Sequence, residues 1–154
     1  SVSAEMTNHD QNFEKEDAVA ISLKFANQAV GSFLLSDRTP SPWTWEMALG
    51  ESEKFPKMGM NAIRFLGTEG ALEFPNLVLW RHGEGNGNWH HEIRPEVIDA
   101  PFIDAYVAQC AHLRAVTRGL ETPIIDALNG SRSLDATLAA ARAATSGKRV
   151  KLSM

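Results

Sequence analysis

The chain has 154 residues, 44% of them hydrophobic and 22% charged, with a formal net charge of −4 and a single cysteine. These values describe one globular domain long enough to bury a core. They argue against the basic stripe of a nucleic-acid binder, a basic membrane-binding face, a transmembrane run of about 18 apolar residues and any internal disulfide.

The opening stretch SVSAEMTNHD has no basic region followed by an apolar block, so no secretory signal is expected in it. Val2, Ala4 and Met6 alternate with Ser3, Glu5 and Thr7, the period of a half-buried strand. EDAVAISLKFANQAVGSFLLSD then places Val19, Ile21, Leu23 and Phe25 on one face. A second strand over residues 30–35 completes a hairpin, with Asn27-Gln28 as the turn pair. Two prolines follow, and WTWEMALG alternates again, setting Trp43, Trp45, Met47 and Leu49 on one side of a further strand. AIRFLGTEGALEFPNLVLWRH predicts strands over residues 61–66, 71–74 and 77–82 around a tight GTEG turn. GEGNGNW reads as a loop tip, and HHEIRPEVID as an edge strand because it contains Pro95.

Helices come last. PFIDAYVAQCAHLRAVTRG opens near Pro101 and closes at Gly119, with Ile103, Tyr106, Cys110, Leu113 and Thr117 in one stripe beside Phe102 and Val116. Cys110 reads as a core residue, and a lone unpaired thiol suits a reducing cytoplasm. DALNGSRSLDATLAAARAATSGK opens at Asp126 as N-cap, or later at Ser131 or Ser133 because Gly130 disfavours helix. Its stripe is Leu128, Ser131, Leu134, Leu138, Ala141 and Thr145. RVKL ends the chain as a short strand. Strands first and helices last predict an α+β domain: a large, mainly antiparallel sheet with helices packed on one face.

Motifs for chemistry are sparse. GEGNG, residues 83–87, precedes no helix, so no helix dipole is there to hold phosphate. His90 and His91 would point to opposite faces of a strand, and no HxH or HExxH spacing occurs. The acidic groups Glu51/Glu53 and Glu14/Glu16/Asp17 read as solvated surface, as do Arg142, Lys148, Arg149 and Lys151. No catalytic, cofactor-binding or metal-binding residue is assigned. The segment LLSDRTPSPWTWE is the exception. Trp43 and Trp45 fit the core face of a strand. They equally fit, with Ser36, Asp37, Arg38 and Ser41, the wall of a concave site for a small polar substrate, or an anchor for a protein partner.

Three stretches in order carry a resemblance: EDAVAISLKFANQAVGSFLLSD…SPWTWE, NAIRFLGTEGALEFPNLVLW, and FIDAYVAQCAHLRAVTRGLETPIIDALNGSRSLDATLAAARAATSGKRVKL. From about Glu16 onward the chain resembles the C-terminal domain of the glucose-fructose oxidoreductase / inositol dehydrogenase (Gfo/Idh/MocA) family. The resemblance implies a domain, residues 1–154, that contributes the substrate crevice and the subunit interface. It implies NAD or NADP held by an N-terminal Rossmann domain that is not in this chain, and a sugar, cyclitol or related hydroxyl compound as substrate. The family's glycine fingerprint, EKP lysine and DxGxHxxD-like segment have no counterpart here, and NHD at residues 8–10 does not match the spacing. The chain alone is therefore expected to be inactive, and to self-associate through its open sheet face. The competing reading is a non-enzymatic sheet module that binds a ligand or partner through an aromatic-lined face.

Overall fold

The computed structural model describes residues 1–9, 15–83, 87–101 and 103–152. They form two compact units: Ser1–Thr39 with Asp104–Met154, and Pro40–Ile103. The α+β class with antiparallel strands holds. The strands are distributed over two sheets, one of three strands and one of four, with Pro40 and Pro42 following the last strand of the first.

The first unit contains β1 (Val2–Thr7), β2 (Ala18–Lys24) and β3 (Val30–Ser36) in the order β1-β2-β3. The register pairs Val2 with Leu23, Ala4 with Ile21 and Met6 with Val19, so the alternation in sequence becomes one apolar face. The hairpin loop is one residue longer than the predicted pair. The Phe25 N–H donates to the Ala29 carbonyl, and the Gln28 N–H to the Phe25 carbonyl. Gln28 takes the left-handed conformation at φ 72°, which gives a type I turn closed by a bulge residue.

Helix α2 (Ala105–Thr117) starts at Asp104, whose carboxylate accepts from the Val107 N–H at 3.0 Å. Pro101 and Ile103 therefore precede it. Helix α3 (Ala127–Ser146) starts at Asp126 as expected and ends at Gly147, φ 63°, so Gly130 is inside it. The face of α3 that packs on β1 is built from Ala139, Ala140 and Ala143, buried with Val2 and Ala4. Leu128, Leu134 and Leu138 of the predicted stripe are exposed instead. Small side chains let helix and sheet backbones approach closely, and the longer leucines project from the rest of the helix surface. Cys110, expected in the core, is exposed, and so are Tyr106 and Leu113 of the α2 stripe. RVKL contributes a single bridge, in which Val2 and Val150 exchange two 2.8 Å hydrogen bonds.

The second unit contains α1 (Trp45–Leu49) and the sheet β4 (Ile63–Leu66), β5 (Ala71–Phe74), β6 (Val78–His82) and β7 (Ile93–Val97), paired in that order. Of the strand predicted over Trp43 to Leu49, Trp45–Leu49 are a helix. Thr44 caps it by accepting from the Met47 N–H at 3.2 Å, and Gly50 stops it at φ 69°. A cap and a left-handed glycine flanking five residues outweigh an alternation only four apolar residues long. β7 is the edge strand that Pro95 predicted. Around the β5–β6 turn, Asn76 donates from its main chain to Asn61 Oδ1 at 2.9 Å and from Nδ2 to the Gly59 carbonyl at 2.8 Å. Asn61 Nδ2 donates in turn to Glu73 at 3.0 Å.

Candidate functional site

The six site residues expected from sequence fall into two groups, because the boundary between the units follows Thr39. In the first unit, Ser36 closes β3 and its Oγ accepts from the Arg38 N–H at 3.3 Å and from the Thr39 hydroxyl at 2.9 Å. Asp37 donates its N–H to the Asp17 carbonyl at 3.3 Å. The turn is thus shaped by its own hydroxyls and tied to β2.

In the second unit, Trp45 lies on α1 and packs against Phe74 of β5, ring centroids 5.1 Å apart and planes inclined at 46°. Phe74 meets Phe65 edge-on at 6.2 Å. Trp45 is 43% exposed and Trp43 62%. Neither tryptophan is the core residue of one reading. Trp45 is anchored on one side only, and Ser41 is half-buried.

Sequence reasoning missed Asp17. Grouped there with solvated carboxylates, it is 8% exposed, the one buried charged residue among those described. Its Oδ2 accepts from the His9 N–H at 2.8 Å, and its Oδ1 lies 3.3 Å from both the Thr7 hydroxyl and His9 Nδ1. The His9 main-chain N–H, outweighing burial, holds the Asp17 carboxyl below the usual range. The available signal was the strand pairing itself: once Thr7 faces Ala18, Asp17 must lie beside residues 8 and 9.

Two other histidines are held structurally. His91 Nδ1 faces the Asn88 N–H at 3.3 Å. His112 Nδ1 meets Glu121 at 2.6 Å, and its Nε2 accepts from the Ile124 N–H at 3.2 Å. Both ring nitrogens are used, and the open cavity of about 450 Å³ beside them is walled by the α2–α3 connector. No group of three metal-ligating side chains exists among the described residues. No described helix is long and apolar enough to cross a membrane. Residues 84–86 of the glycine-rich GEGNG stretch, Phe102, Asp10 and Glu14 lie outside the described residues.

A dinucleotide needs a helix N-terminus open to its pyrophosphate. The N-termini of α2 and α3 are each filled by an aspartate, Asp104 on Val107 and Asp126 on the Asn129 N–H at 2.7 Å. A second anion there would face a carboxylate at contact distance, so neither of these two helix N-termini offers open N–H groups to a pyrophosphate.

No family model and no curated protein matches the sequence. Solved structures do match the fold. The yvaA protein of Bacillus subtilis overlays on 99% of the chain with a TM-score of 0.69 at 11% identity, over 45% of its own length. An oxidoreductase from Agrobacterium radiobacter, solved with NAD+, L-tartaric acid and magnesium, covers 97% at 16% identity and TM-score 0.62, over 42% of its length. The aldose-aldose oxidoreductase of Caulobacter crescentus, complexed with glycerol, covers 98% at 19% identity and TM-score 0.62, over 40% of its length. The chain therefore has the fold of one part of these larger proteins, and spans less than half of each.

Proposed function

We propose that residues 1–154 are the C-terminal substrate-binding and assembly domain of an NAD(P)-dependent oxidoreductase of the Gfo/Idh/MocA type. The observation that carries this reading is the overlay of nearly the whole chain on less than half of larger oxidoreductase chains. The surface supports it. Two separate compact domains sharing this chain's mass would expose about 9,000 Å² together, whereas the chain exposes 12977 Å². Much of the excess is apolar: Leu34, Tyr106, Ile124 and Leu134 are all exposed. Such surface needs cover from another domain or another copy.

On this reading the Rossmann domain lies upstream, binds NAD or NADP and performs the hydride chemistry. This chain supplies substrate contacts from the 36–45 segment and meets a second copy through the open face of its sheet. The substrate is a sugar, cyclitol or related polyol, and the enzyme is cytoplasmic.

The test is a nicotinamide-reduction assay of the complete gene product with NAD+ and NADP+ against sugars and cyclitols. Trp43→Ala or Arg38→Ala should raise the apparent KM by about tenfold, the loss of one good contact. An unchanged KM in both variants would remove the segment from the substrate site. Light scattering should show an oligomer.

A further inference from the structure

The end of the three-stranded sheet gathers polar groups beside the Ser36 turn. The register sets Thr7, Ala18 and Ser36 in one row across the sheet. Just beyond that row the Asp17 main chain joins all three strand ends: its N–H donates to the Thr7 carbonyl at 2.9 Å, and its carbonyl accepts from the Asp37 N–H at 3.3 Å. Its buried carboxylate is surrounded by the Thr7 hydroxyl and by both the main chain and the ring of His9. A carboxylate removed from water is tolerable only when hydrogen-bonded, and here that requirement fixes its orientation.

The consequence falls on His9. With Nδ1 directed at a buried carboxylate, the neutral ring carries its proton on Nδ1 and leaves Nε2 as an acceptor. The His9 side chain is 75% exposed, and Nε2 has no hydrogen bond among the described residues. A histidine oriented by a carboxylate is the arrangement by which proteins hold a ring nitrogen ready for a hydroxyl.

We propose that His9 and Asp17 form a hydroxyl-binding dyad, in which His9 Nε2 accepts a hydrogen bond from a small polyhydroxylated ligand lying beside the Ser36–Arg38 turn. Asp17 is the positioning residue. It touches no ligand, but its carboxylate sets the ring and its carbonyl sets the turn. The dyad rests on the proposed function for its ligand class and adds to it a contact outside the 36–45 segment.

Histidine-labelled 15N NMR of the complete protein at about pH 8, where imidazole is neutral, reads the tautomer directly. The expected result is an Nδ1–H ring at His9 whose Nε2 resonance moves on titration with D-glucose, myo-inositol or glycerol. Asp17→Asn should mix the tautomers and weaken the apparent Kd about threefold or more, the loss of one oriented hydrogen bond. His9→Gln should abolish polyol binding in isothermal titration calorimetry with the fold retained by circular dichroism, since the Asp17 carboxylate keeps the residue 9 N–H and the Thr7 hydroxyl. An Nε2–H ring, or an Nε2 resonance unmoved by all three polyols, overturns the dyad. The two readings fail separately. If polyols move Nε2 but no nicotinamide is reduced, the dyad stands and the oxidoreductase falls. If reduction proceeds with the same KM in His9→Gln, the dyad falls and the oxidoreductase stands.

Discussion

The two units are held together by different means. In the first, α3 lays Ala139, Ala140 and Ala143 on Val2 and Ala4 of β1, a core of small side chains at close backbone approach. In the second, the buried apolar residues among those described are Ala48 and Pro75. There the chain is fixed by the Asn61–Asn76–Glu73 amide network, the Thr44 cap and the half-exposed Trp45–Phe74 contact. Small-residue packing is intolerant of added volume, whereas a network of local bonds is intolerant of displaced backbone. The second arrangement also leaves aromatic surface available to something outside the unit, as a substrate wall or an interface requires.

Substitutions that add volume should expose this contrast. Ala139→Leu places three extra carbons in a face with no free space, and should cost about 3 kcal/mol. Urea unfolding reads the loss, and amide exchange should show protection falling first in α3 and β1. An unchanged midpoint would mean that this face is not the core. In the second unit, a Cβ on Gly70 would stand 2.7 Å from the Trp80 carbonyl oxygen. That atom is backbone and cannot rotate away, so Gly70→Ala should cost about 2 kcal/mol, with exchange rising in β5 and β6. If Gly70→Ala is as stable as the parent, the close approach of the two strands is wrong.

The smallest effect concerns charge. The Asp17 carboxyl is held below its ordinary value, chiefly by the His9 N–H. Its ionised form therefore stabilises the fold fully above the unfolded pKa of about 3.9, and the contribution is lost as pH falls through the lower folded value. Asp17→Asn should lower Tm at pH 7, and the gap to the parent should shrink below about pH 4. A gap that stays constant between pH 7 and pH 3 would mean that the carboxylate's charge contributes nothing there.

The sequence made β1, the β2–β3 hairpin, β5 and the β7 edge legible, because period-2 patterns and Pro95 report directly on strand faces and edges. Asp126 and Gly147 likewise marked both ends of α3. What stayed hidden depended on neighbours distant in sequence. The leucines of α3 outrank its alanines on any hydropathy scale, yet only alanine is small enough for the distance to β1. Trp43 to Leu49 is too short for periodicity to decide, and the Thr44 cap decided it instead. Asp17 looked like its acidic neighbours because its partners, Thr7 and His9, reach it only through strand register. The sequence left Trp43 and Trp45 open between core and surface, where the structure exposes both, and the His9–Asp17 pair was not legible.

Dinucleotide binding tests the central claim most directly. NADH, titrated by energy transfer from protein tryptophan, should bind the complete gene product and should leave residues 1–154 alone unaffected, because Asp104 and Asp126 already fill the helix N-termini that a pyrophosphate would need. A complete gene product that ignores both NADH and NADPH, or an isolated chain that binds either, would contradict the assignment of this chain as the substrate half of an oxidoreductase.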